Sequence, residues 1–172
     1  MPGKKLTAAA LLAAAAVVLS ILESLLFGGL TLGLPGIKLG LANIAVLVAL
    51  KYSGTGTAYL IGVIKSLASF FAAGSVTVLW YSLAGTLLAV TGMWLMDRYL
   101  RCFSLIGVSA FGGFLSNLGQ LLVMMLLSHT AEFLFYLPVL TIAGTAAGCL
   151  SGLLAAVILS RLGRAERTRT KI

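Results

Sequence analysis

An all-α bundle of six transmembrane helices is the fold class this sequence predicts, and three observations predict it. The first is composition. Of the 172 residues, 60% are hydrophobic and 9% charged, against roughly 25% charged in a soluble domain. With a mean hydropathy of +1.13, the chain has too few polar residues to cover a water-facing surface, which places it in a membrane. The second is a succession of six apolar runs. Each must be helical, because no other open structure satisfies its backbone in lipid. The third is where the basic residues fall. Ten of the twelve Lys and Arg residues gather on one side when six helices are drawn, and any odd number scatters them.

The elements follow in order along a single transmembrane domain. The first run, 6–27, is rich in alanine and carries the small-residue steps Ala9-xxx-Ala13 and Ala16-xxx-Ser20-xxx-Ser24. Such a face suits either packing within the bundle or docking of a second membrane protein. A cleaved signal peptide is the other reading of this run, after Lys4 and Lys5. The apolar stretch continues through Glu23 without a clear cleavage site, which favours a span. The second run, 38–52, is short for a span of ~20 residues. Its approach is rich in glycine, with Gly28, Gly29, Gly33 and Gly36 around Pro35. The third and fourth runs, 57–73 and 75–96, meet at Ala73-Gly74-Ser75. The fifth is 103–128. The sixth, 135–162, bears three glycines on one face, Gly144, Gly148 and Gly152, a spacing that lets another backbone come close. Residues 163–172 form a basic tail, read as a solvated end.

Charge then sets orientation. Lys4 and Lys5 precede the first helix, Lys51 lies between the second and third, and Arg98 and Arg101 lie between the fourth and fifth. Arg161, Arg164, Arg167, Arg169 and Lys171 belong to the tail. The positive-inside rule puts this side, with both termini, in the cytoplasm of a plasma-membrane protein. It also accounts for the net charge of +8 without nucleic acid. Cys102, Cys149 and the single histidine, His129, have no metal-ligand spacing. No nucleotide-binding P-loop is present. Neither a catalytic group, a metal nor a cofactor is expected.

The two remaining lysines are the informative ones. A lysine near mid-bilayer costs ~2.5–3.5 kcal/mol on insertion scales, so Lys38 and Lys65 should face protein, a partner or a ligand. Gly62, Lys65, Ser66 and Ser69 share one helical face, and Gly113, Ser116, Asn117 and Gln120 repeat the pattern in the fifth segment. Glu23, Lys38, Asn43, Lys65, Ser69, Trp80, Asn117 and Gln120 all fall in the outer half of the membrane and are the candidate ligand-binding residues. Two lysines against one deep carboxylate suit a small anionic or otherwise polar molecule. Other readings stand beside this one. Glu23 could neutralise Lys65 or Lys38 in an internal network, Lys38 could snorkel to the interface, and Trp80 could be an interfacial belt residue.

The run PGIKLGLANIAVLVALKYSG, 35–54, and the run FGGFLSNLGQL, 111–121, closely resemble the Gx transporter family, whose members are often labelled heptaprenyl diphosphate synthase component I. The layout also resembles the S components of energy-coupling-factor (ECF) transporters, through Ile37-Lys38-Leu39, Asn43-Ile44-Ala45 and Gly62-Val63-Ile64-Lys65. This sequence has Ala45 where that family commonly has proline and Asn43 where it commonly has an acid. The resemblance implies an S-component-like bundle, docking of the Ala9, Ala13, Ala16 face on a membrane coupling subunit, and ATPases as further partners. A prenyl diphosphate synthase would need clustered carboxylates to hold Mg²⁺. Asp97, Glu23, Glu132 and Glu166 are the only acids and none adjoins another. That leaves a non-catalytic membrane subunit of such an enzyme as the alternative.

Overall fold

The computed structural model describes residues 2–27, 40–100, 102–130 and 132–169. Among these residues there are six α-helices: α1 (Pro2–Phe27), α2 (Leu41–Tyr52), α3 (Thr55–Ala73), α4 (Val76–Tyr99), α5 (Leu105–Ser128) and α6 (Leu137–Arg169), the last preceded by a 3-10 turn over Glu132–Tyr136. There is no strand among the described residues. Five stretches are long and apolar enough to cross a membrane: Leu6–Leu25, Thr55–Ala73, Val76–Tyr99, Leu105–Ser128 and Glu132–Leu162.

The exception is α2. At 12 residues it is about 18 Å long, well short of a hydrocarbon core of ~30 Å. From Ile44 to Leu50 its sequence is apolar on every side, the mark of a helix surrounded by protein. Ile44 through Leu50 are all buried, and Val46, Leu47, Val48 and Ala49 are at 0% exposure. α2 packs on α1, α3, α4 and α6, while neighbours run α1–α3–α4–α5–α6 around it. The outward faces carry the large exposed apolar side chains, among them Leu11, Val18, Leu60, Phe71, Leu122, Ile142 and Leu153. This is the inverted surface of a membrane protein, apolar where a soluble protein would be polar.

Local chemistry sets most boundaries. Gly40, at φ 69°, holds the left-handed turn in front of α2. The helix therefore starts at Leu41, later than the expected 38. Gly54, at φ 101°, allows the reversal into α3, which starts at Thr55, two residues early. Gly74, at φ 65°, closes α3 by donating its N–H to the Phe70 carbonyl at 2.8 Å. Ser104 caps α5, its hydroxyl accepting the Gly107 N–H. α4 continues to Tyr99, beyond the expected 96. α6 runs on to Arg169, so the stretch expected as a solvated tail from 163 is helical backbone up to that residue.

The Lys51–Asp97 ion pair joins the C-terminal ends of α2 and α4, and Arg98 lies over the Trp94 ring, 5.7 Å from its centroid. The basic turns after α2 and α4 thus sit at one end of the bundle. The side chains of the ion pair are 29% and 42% exposed, where such a pair is worth about 0.2–1 kcal/mol. Asp97→Ala should therefore lower stability by less than ~1 kcal/mol, read as a small shift in thermal unfolding of the detergent-solubilised protein.

Candidate functional site

All six helices contribute to one polar cavity. α1 supplies Ser20 and Glu23, both buried. With Ala16 they fall at i, i+4 and i+7, so one stripe of α1 faces inward. Ser20 Oγ and Ser69 Oγ are 2.6 Å apart, tying α1 to α3. The Glu23 carboxylate accepts the Gly40 N–H at 2.5 Å, immediately before α2. A carboxylate is favoured there, at the positive end of the helix dipole.

Gly40 is the point where three helices meet. Its carbonyl accepts the Asn43 N–H at 2.8 Å and the Ser151 hydroxyl of α6 at 3.4 Å. Its left-handed backbone strains any residue with a Cβ, and an added Cβ would also stand 3.2 Å from Asn43 Nδ2. From α3, the Lys65 ammonium donates to Asn43 Oδ1. Lys65 is 7% exposed, so its charge is held inside the protein, as a membrane lysine requires.

On the other wall, Ser82 of α4 donates to Ser66 of α3 at 3.2 Å. Asn117 of α5 donates from Nδ2 to the Leu140 carbonyl of α6 at 2.8 Å. Gly144 makes room for that bond: a Cβ there would stand 2.6 Å from Asn117 Nδ2. Gln120 donates from Nε2 to Ser116 Oγ at 3.4 Å. Its Oε1 is buried with no partner among the described residues.

Six of the eight expected ligand residues, Glu23, Asn43, Lys65, Ser69, Asn117 and Gln120, therefore line a single cavity. Lys38 lies outside the described residues. Trp80 does not line the cavity: it is 53% exposed on α4. The inward face of α4 is Ser82, Gly85, Thr86, Ala89 and Met93, and a residue two places before Ser82 sits roughly 200° around the helix from it. The small-residue face of α1 also has a different position from the docking face expected. Ala16 is fully buried in this chain's own core and Ala13 packs against that core, while Ala9 is half-buried.

Sequence reasoning missed Ser82, Thr86, Ser109 and Ser151 as cavity residues. The signal was available in the spacing Ser82-x-x-Gly85-Thr86, which sets small and polar residues on one α4 face. The cavity holds about 30 Å³ of space, room for about two waters. Pockets that enclose drug-sized molecules run ~300–1,000 Å³, so uptake of such a ligand requires the walls to part.

No curated protein and no solved structure matches the chain. The family model described as heptaprenyl diphosphate synthase component I matches residues 12–158. With that match spanning the bundle from α1 to α6 and the cavity inside it, the chain belongs to the heptaprenyl diphosphate synthase component I family.

Proposed function

We propose that this protein is a membrane-embedded, substrate-binding subunit for uptake of a small polar molecule, similar in role to an ECF S component. The observation that carries this reading is the cavity. Six helices aim a carboxylate, an ammonium, three carboxamides and a set of hydroxyls at one cavity in an otherwise apolar bundle. Polar groups at membrane depth are costly and mark ligand or ion pathways. Binding begins at the outer face, with both termini in the cytoplasm of the plasma membrane. A membrane coupling subunit and ATPases supply the driving force, since the chain has no P-loop of its own.

The family's description favours a second reading, a non-catalytic membrane subunit for prenyl diphosphate synthesis. The acids argue against any catalytic share in that synthesis. Asp97 is bonded to Lys51, and Glu23, which accepts the Gly40 N–H, has no second described acid beside it in the cavity. Native mass spectrometry of the protein purified from its host membrane, with its co-purifying chains, separates the readings. A retained small polar molecule and a membrane coupling subunit are expected. A soluble prenyltransferase as the co-purifying chain, with no retained molecule, would replace the transport reading by the second.

A further inference from the structure

The lining of the cavity narrows the substrate class, an inference that rests on the substrate-binding reading above. Apart from Met93, every described lining residue is glycine, alanine or a polar side chain. None of those described lining residues carries a ring for an aromatic vitamin to stack on, and Met93 is the one long apolar side chain among them that an isoprenoid tail would meet.

Size points the same way. The α5–α6 wall is backbone against backbone: a Cβ at Gly113 would stand 2.1 Å from the Gly144 carbonyl oxygen. That wall is seated as closely as two helices allow, so any extra room must come from the others. The charges among the described lining residues are one carboxylate, Glu23, and one ammonium, Lys65. Gln120 adds a directional requirement. It is 7% exposed, and its Oε1 has no partner among the described residues. A buried acceptor left so is costly, and a ligand that donates to it removes the cost.

We propose that the cavity takes a compact, non-aromatic amino acid or close analogue, its amine set against Gln120 Oε1 and Glu23 and its carboxylate toward Lys65. The amine satisfies the unpartnered oxygen, and the two opposite charges of a zwitterion match the two on the wall.

The test uses the full-length protein in lipid nanodiscs, with binding read by calorimetry and thermal shift. The probes are glycine, L-alanine, L-serine and L-threonine on one side, riboflavin and farnesyl diphosphate on the other. At least one of the amino acids is expected to bind, and neither riboflavin nor farnesyl diphosphate. Gln120→Leu should weaken that binding at least tenfold. The ligand-free variant should unfold at the same temperature or higher, because a similar-sized apolar side chain replaces an unsatisfied amide. Unchanged affinity in Gln120→Leu would overturn the contact assigned to this residue. Binding of riboflavin or farnesyl diphosphate in place of the amino acids would overturn the substrate class and leave the substrate-binding reading standing. No binding by the four amino acids also overturns the class. The substrate-binding reading falls with it if native mass spectrometry of the host-purified protein finds no retained molecule either.

Discussion

Gly148→Leu is expected to abolish the folded bundle. A single Cβ at this position would stand 2.5 Å from the Ser109 carbonyl oxygen and 2.7 Å from the Ala110 Cα, both backbone atoms of α5. Backbone cannot turn aside as a flexible side chain does, so the helices must separate. Separation also strains the contacts at Gly144 and Gly152, which meet Gly113 and Ile106 in the same way, and pulls Asn117 from the Leu140 carbonyl. Overpacking alone costs about 1–3 kcal/mol, and the broken interface adds to it. A total stability of ~5–15 kcal/mol leaves little room for such a loss. Size-exclusion chromatography in mild detergent should show the wild-type peak gone or displaced to aggregate. Gly56→Ala is the matching control. A Cβ there meets nothing within 4 Å, so this variant should be neutral or stabilised by about 0.5–1 kcal/mol. A folded Gly148→Leu protein with wild-type unfolding would show that the α5–α6 contact is not what holds the bundle together.

Lys65→Ala is expected to remove ligand binding while leaving a protein that folds. The ammonium is the one cationic group lining the cavity among the described residues. A hydrogen bond to a charged group is worth ~1.5–3 kcal/mol, or roughly a ten- to hundredfold rise in Kd. The cost to the fold is smaller. Asn43 Oδ1 loses the donor at Lys65, while a buried charge is taken out of the membrane interior, and the two effects oppose each other. Native mass spectrometry of wild type and variant, purified side by side from the host, checks this. The variant should elute at the wild-type position without the molecule that wild type retains. Equal retention would take Lys65 out of the site.

Much of the fold was legible because lipid makes strict demands on sequence. Polar stripes such as Lys65, Ser66 and Ser69, or Ser116, Asn117 and Gln120, could only face inward, and they do. The glycines of α6 announced a close backbone approach, and its partner is α5. What failed had local causes. Trp80 was placed by depth without regard to angle, and depth says nothing of which side of α4 a residue faces. The small face of α1 was open between two uses, since alanine packs as readily inside a bundle as against a partner. The start of α2 is set by the backbone of Gly40 (φ 69°), a left-handed turn that the apolar run from 38 does not announce. The hydroxyls of Ser82, Thr86 and Ser151 were overlooked because a lone Ser or Thr in a span can bond its own helix, as Thr141 and Thr145 do.

The enclosure of α2 also bears on how the protein is made. Its jacket includes α6, which leaves the ribosome after the other five helices, and the bond from Ser151 to Gly40 links partners 111 residues apart. Nascent α2 must wait beside α1 and α3 with one flank uncovered until α6 has been made. Being too short to bridge the hydrocarbon slab unaided, it depends on those neighbours to keep it at depth. A chain stalled before α6 would present that bare flank to the insertion machinery and to quality-control proteases.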